Sequence, residues 1–350
     1  MGKKEAMVAA LRKELVMRKG EFKEEMVETI YFGGGTPSVL ETIEIQSIID
    51  EVYKNYKVTD NPEITLEANP DDLSTEKIRA LSESPINRLS IGIQSFHEAD
   101  LQFMNRAHNA TEALQSLQQA KAMGFDNLTI DLIYGTPGLT DTGWLENLNI
   151  FRDLDIGHLS SYCLTVEEGT ALDHFVKKGT AKPVDEEQSA RQFDLLLDFI
   201  DTNGYTQYEI SNFAKPGMFA RHNTAYWQGI PYLGLGPSAH SYDGSSRQWN
   251  VAHNANYMKA VTNKQNHFER EVLTTAQQYN EYLLTTLRTS WGVDWKRLSQ
   301  LNSEAADQFL KEVIPFIEAG QVVEKEQQFT LTRTGKLLAD RIAMELFVEE

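Results

Sequence analysis

The chain has 350 residues, with 33 Lys+Arg against 51 Asp+Glu and a formal charge of −18. A surface this acidic repels phosphate backbones and anionic lipid, which argues against nucleic-acid and membrane partners. One cysteine excludes a disulfide framework, a cysteine-based zinc site and a self-contained iron–sulfur cluster, while 41% hydrophobic residues suit a folded globular chain.

Residues 1–20 (MGKKEAMVAALRKELVMRKG) read as an amphipathic helix. Their longest apolar run, Ala6 to Leu11, is too short for a signal-peptide core. No run of about twenty apolar residues occurs, so no membrane span and a cytoplasmic location are expected. Beyond this helix, strand and helix signals alternate. Strand-like runs lie at 28–32, 63–67, 88–94, 128–134, 158–164 and 205–210. Helical patterns lie between them at 42–53, 75–81, 111–123, 141–154 and 187–203. Such alternation predicts βαβ units and a parallel sheet, either doubly wound or a whole or partial barrel. From 215 to 250 the Gly, Pro, Tyr and Trp content predicts an ordered loop region. The end of the chain predicts helices at 274–288 and 303–319, a hairpin at 321–326 and 328–332, and a last helix at 335–347. Helices followed by a hairpin suggest a winged-helix-like module, and the acidic charge favours a lid or docking role over DNA binding.

Gly33-Gly34-Gly35-Thr36-Pro37-Ser38 directly follows the first strand. It is neither a P-loop nor GxGxxG. Three consecutive glycines exceed the need of a tight turn and predict a loop whose backbone a ligand approaches closely. The next strands carry polar residues at or near their ends: Glu67, Gln94 and Asp131, with Arg106 expected on the helix after Gln94. Carboxylates, an amide and a guanidinium would suit a ligand bearing an ammonium, hydroxyls and a carboxylate. A second cluster, His222-Asn223-Thr224-Ala225-Tyr226-Trp227, suits either a hydrogen-bonded core histidine or a flat aromatic ligand with an axial histidine. Cys163 reads as a buried, inert thiol.

Taken in order, YFGGGTPS, EANP, NRLSIGIQSF, NRAH, IDLIYGTPG, EEGT, YEISNFA, HNTAYW and YLGLGPSAHS closely resemble the oxygen-independent coproporphyrinogen III oxidase-like family of radical SAM proteins. Within that family, HNTAYW is similar to the HNxxYW signature of the HemW-type haem chaperones. The resemblance runs from about residue 5 to the C-terminus. It implies a partial (β/α)6 radical SAM barrel over residues 1–212, a glycine- and aromatic-rich connecting region over 213–265, and a C-terminal domain over 266–350. It further implies that Gly34, Gly35, Thr36, Glu67, Gln94, Arg106 and Asp131 hold S-adenosylmethionine, with Thr165 and His240 lining the same pocket, and that His222 ligates haem or organises its site. The implied function is haem binding and delivery to haem-accepting proteins, such as respiratory haem enzymes; a homodimer is left open. The alternative is a coproporphyrinogen III dehydrogenase of porphyrin biosynthesis, and a third reading is a nucleic-acid-modifying radical SAM protein, against which the charge argues.

The family also places a strand and CxxxCxxC, the three thiolate ligands of a [4Fe–4S] cluster, ahead of the first helix. Neither occurs in this sequence. The expectation is therefore a chain without its first barrel strand and cluster ligands, through truncation together with start-codon misassignment rather than as a natural cluster-less form.

Overall fold

The computed structural model describes residues 2–21 and 26–349; Met1, part of the expected first helix, and Glu350 lie outside them. The N-terminal elements are α1 (Lys3–Arg18), β1 (Val27–Phe32), α2 (Thr42–Asn55), β2 (Val58–Ala68), α3 (Thr75–Ser82) and β3 (Arg88–Gln94). Then come α4 (Glu98–Phe103), α5 (Ala110–Ala122), β4 (Leu128–Tyr134), α6 (Asp141–Asp153), β5 (His158–Cys163), α7 (Ala171–Lys177) and α8 (Glu186–Thr202). A short hairpin, β6 (Thr206–Glu209) and β7 (Asn212–Ala214), closes this part.

These seven strands form one sheet in the order β1-β2-β3-β4-β5-β7-β6, curled into a half barrel. The first five are parallel, each joined to the next through helical segments. The sixth predicted strand departs from a sixth parallel unit: β7 inserts antiparallel between β5 and β6. Residues 210 and 211 turn the chain back at once, so β7 reaches the β5 edge first.

Period-two alternation splits each strand between two faces. Ile64 and Leu66, Leu89 and Ile91, and Leu128 and Ile130 are fully buried against helices α2, α3, α5 and α6. The opposite face carries Glu63, Thr65 and Glu67 on β2, Arg88 and Ser90 on β3, Thr129 and Asp131 on β4, and His158 and Ser160 on β5. The half barrel therefore has an apolar outside under helices and a polar inside, which is where a ligand site can be built.

The 215–250 region is more regular than its composition predicts. It contains α9 (Arg221–Trp227), β8 (His240–Tyr242) and β9 (Ser246–Asn250), followed by α10 (Asn254–Thr262) and β10 (Phe268–Val272). Its glycines and prolines fall in the turns between these elements and hid their periodicity. Strands β10-β9-β8 make a second, antiparallel sheet. Helix α1 ties it to the barrel through a buried carboxylate. Glu14 accepts hydrogen bonds from Gly236 N at 2.9 Å, Asn250 Nδ2 at 2.8 Å, Tyr257 Oη at 2.5 Å and His267 Nε2 at 2.9 Å.

The remaining elements are α11 (Thr275–Leu287), β11 (Val293–Asp294), α12 (Trp295–Leu301), α13 (Ser303–Glu312), α14 (Ile314–Glu318), β12 (Val322–Lys325), β13 (Gln328–Leu331), α15 (Arg333–Lys336) and α16 (Ala339–Glu345). The predicted hairpin is present, and β11 adds a third strand to it. The single helix expected over 303–319 is two, because Pro315 removes an amide hydrogen and opens α14 as a fresh start. The last expected helix is likewise divided into α15 and α16. This unit has its own core around Tyr279, Leu283, Phe309 and Ile342. It is pinned to the barrel by Arg333, whose guanidinium meets Asp194 at 2.8 Å and Asp198 at 2.5 Å on α8. Among the described residues, no helix is long and apolar enough to cross a membrane.

Candidate functional site

Two polar clusters meet on the inner face of the sheet, at β1 and β2. The first forms around the glycine loop. Gly34 and Gly35 have φ of +72° and +78°, a conformation that disfavours side chains. Gly33 is forced for a different reason: a Cβ there would lie 2.4 Å from the Tyr31 ring and 2.8 Å from Glu67 Oε1. The loop hangs on Glu67, whose carboxylate accepts from Tyr31 Oη at 2.5 Å and from Gly34 N at 3.2 Å. Thr36 follows as the exposed start of a short 3-10 turn.

Across the sheet, β3 ends irregularly. Its register with β4 shifts between Ile91 and Gln94, and Gln94 takes φ +68°. Such a bulge turns a side chain away from the regular pleat, and a left-handed glutamine is strained enough to need a reason. Gly92 lets three polar side chains close over the backbone: a Cβ at that position would meet Gln94 Nε2 at 2.9 Å, Arg106 Nη2 at 3.6 Å and Asn69 Oδ1 at 3.8 Å. Arg106 lies in the connection between α4 and α5 rather than on a helix, because Asn105 with φ +52° ends the turn. Its Nη2 donates to Asn69 Oδ1 at 2.7 Å, and its buried Nε has no partner. An unmatched guanidinium N–H suits a carboxylate.

Asp131 completes this cluster. Burial first, and then the negative charge of Glu67, push its carboxyl up to about 7, against the opposing influence of Ser160, Arg88 and Arg106. A buried carboxyl beside a second carboxylate invites a cation. Desolvation of its hydroxyl end and the same Glu67 charge raise the Tyr31 phenol, although the residue as a whole stays 36% exposed. The sequence-predicted Gly34, Gly35, Glu67, Gln94, Arg106 and Asp131 thus gather in one region. Thr165 is exposed beyond β5 and donates to Cys163 O at 3.4 Å. His240 is exposed on β8, paired in register with Trp249. Among the described residues, no hydrogen bond or ion pair joins Thr165 or His240 to the glycine-loop cluster.

The second cluster is built on α9. His222 stacks on Tyr31, with ring centroids 4.7 Å apart and planes at 17°. Its Nδ1 meets Thr29 Oγ1 at 2.8 Å. With Nδ1–H donating to that hydroxyl, Nε2 keeps its lone pair, and no described residue occupies it. Burial, more than any neighbouring charge, lowers the imidazole pKa, so the ring is neutral near pH 7, as a metal ligand must be. Glu63 fixes the start of the helix: Oε2 accepts from Arg221 N at 3.0 Å and Oε1 from His222 N at 2.9 Å. Asn223 Oδ1, Thr224 Oγ1 and Trp227 Nε1, all from the same helix, are buried with no hydrogen-bond partner. Three such atoms on seven residues mark a surface that expects company.

Tyr31, Thr29, Glu63 and Asn69 hold or shape the predicted residues without having been predicted themselves. Their signal was alternation: Thr29 and Tyr31 share one face of β1, and Glu63 and Glu67 one face of β2.

The donors present do not fit a cubane cluster. The chain has a single cysteine, and no described group of three His, Cys, Asp or Glu is placed to hold a metal ion. Cys163 packs at the edge of the apolar core and is no substitute. The chemistry of the first cluster suits S-adenosylmethionine: an unpartnered guanidinium N–H matches its carboxylate and a carboxyl pair its ammonium.

Known proteins resemble this chain over most of its length. Residues 4–150 match the radical SAM superfamily and residues 273–338 the HemN C-terminal domain. The heme chaperone HemW of Bacillus subtilis is 33% identical over 336 residues, covering 95% of this chain and 89% of that protein. The heme chaperone HemW of Lactococcus lactis is 34% identical over 286 residues, covering 82% and 75%. The solved structure of coproporphyrinogen III oxidase (HemN) from Escherichia coli superposes with a TM-score of 0.83 at 24% identity, covering 99% of this chain and 84% of that one. At that identity the likeness concerns the fold.

Proposed function

This chain belongs to the HemW family of radical SAM proteins, and from that premise we propose that it binds haem through His222 and passes it to acceptor proteins such as respiratory haem enzymes. The observation that carries the reading is the His222 imidazole: held at Nδ1 by Thr29 Oγ1 and stacked on the Tyr31 ring, with no described partner at Nε2. A metal-ligating histidine is commonly fixed in this way through its other nitrogen. The HemW relatives are themselves heme chaperones, which supports the same reading.

The family also implies S-adenosylmethionine and a [4Fe–4S] cluster. In this proposal Arg106 holds the methionine carboxylate, Glu67 and Asp131 face the ammonium, and Gly34 and Gly35 offer backbone to the ligand. Gln94 covers the Gly92 backbone beside them. Bound S-adenosylmethionine would supply a sulfonium and, where a reduced cluster is present, a source of radical chemistry. The cluster has no ligand set among these residues, so the proposed haem role rests on residues the chain does contain.

The test is a haem titration followed at the Soret band. His222→Ala should weaken binding at least about tenfold and move the band, since the loss of one metal–ligand contact exceeds about 1.4 kcal/mol. An unchanged titration and spectrum would remove His222 from the site.

A further inference from the structure

A cleft opens at the C-terminal end of α9, between the second sheet and the C-terminal unit. Four aromatic rings form a continuous wall. Tyr226 contacts Trp227 edge-on at 5.3 Å and Tyr232 at 5.7 Å, and Tyr232 contacts Tyr242 at 6.3 Å. The buried Trp227 Nε1 has no hydrogen-bond partner.

The opposite side is charged. Arg247 is matched by Glu281 at 2.8 Å. Arg297 is not matched: its guanidinium lies over the Tyr282 ring, 5.2 Å from the centroid, and no described residue gives it a carboxylate or a hydrogen bond. The lining therefore holds two cations and one anion, a net positive spot in a chain of formal charge −18. Aromatic walls and one uncommitted guanidinium suit a planar ligand that ends in a carboxylate. His222 and Tyr226 are four residues apart on α9 and so share one face of it. A macrocycle seated on His222 is thereby led along the helix toward this cleft.

We propose that the cleft is the subsite for the carboxylate edge of the porphyrin, with Arg297 as its anchor and the Tyr226–Tyr232 wall against the ring. Arg297 stands on α12 of the C-terminal unit, so the unit would take part in holding the ligand. The proposal rests on the haem reading above and deepens it.

The experiment compares iron protoporphyrin IX with its dimethyl ester, whose carboxylates are capped, in the wild type, Arg297→Gln and His222→Ala. The wild type should prefer the free acid by roughly tenfold to a hundredfold, the range expected of one charge-assisted contact. Arg297→Gln should lose that preference and keep the wild-type Soret position. His222→Ala should change the Soret band and keep the preference. Equal binding of acid and ester by the wild type would overturn the Arg297 proposal and leave the His222 reading standing. A preference that survives in Arg297→Gln would overturn it too. Failure of the wild type to bind either compound would overturn both.

Discussion

Glu63 offers the sharpest test of how α9 is held. Its two carboxylate oxygens accept the amide hydrogens of Arg221 and His222 at 3.0 Å and 2.9 Å, and Arg88 lies 3.9 Å away. Both Glu63 and Arg88 are buried, at 5% and 2% exposure. Glu63→Gln keeps the shape and one acceptor, and turns an amide N–H₂ toward a backbone donor. One charge-assisted hydrogen bond is lost, a change of about 1.5–3 kcal/mol. If that loss falls on the docked position of α9, haem affinity should drop about 10- to 100-fold. Stability should fall as well, because Arg88 is left buried without its counter-charge. The assay pairs a Soret titration with thermal unfolding. A folded Glu63→Gln protein that binds haem within about twofold of wild type, in a series where His222→Ala binds at least about tenfold more weakly, would refute the idea that this carboxylate positions the histidine.

Asp131 and the cysteine count give two further expectations. The folded Asp131 carboxyl is raised to about 7 from an ordinary value near 4, so the native state holds the extra proton between those limits. Stability from this group is therefore full at about pH 4 and declines as the pH rises toward 7. The Tm gain of Asp131→Asn over wild type should grow from about pH 4 to about pH 7 and then level off; a difference that does not change with pH would contradict the assignment. Anaerobic reconstitution with iron and sulfide should leave the 350-residue chain without a stoichiometric [4Fe–4S] EPR signal, and such a signal from the monomer would contradict the donor inventory.

Much of the barrel is legible in the sequence because its strands are short, buried on one face and separated by helices of ordinary length. β3 and β4 fall where their β-branched and leucine-rich runs predict them. The site was legible where polar residues interrupt those runs, as at Glu67 and Asp131. Other features depend on contacts between distant segments. Nothing local marks Glu63 as the cap of a helix 158 residues further on. The β7 insertion depends on which edge of β5 is available. Helix α9 has only seven residues, too few for a visible helical period, and its stability comes from Glu63, Thr29 and Tyr31 rather than from its own propensity. Arg297 sits in a short helix whose pattern says nothing of the aromatic wall it faces.

Tyr31 has two neighbours that belong to different sites. Its hydroxyl is spent on Glu67 beside the glycine loop, and its ring is spent on His222. The phenol is one rigid plane, so its hydroxyl end and its ring face cannot move independently. A single phenol therefore ties the position of the glycine-loop carboxylate to that of the α9 imidazole.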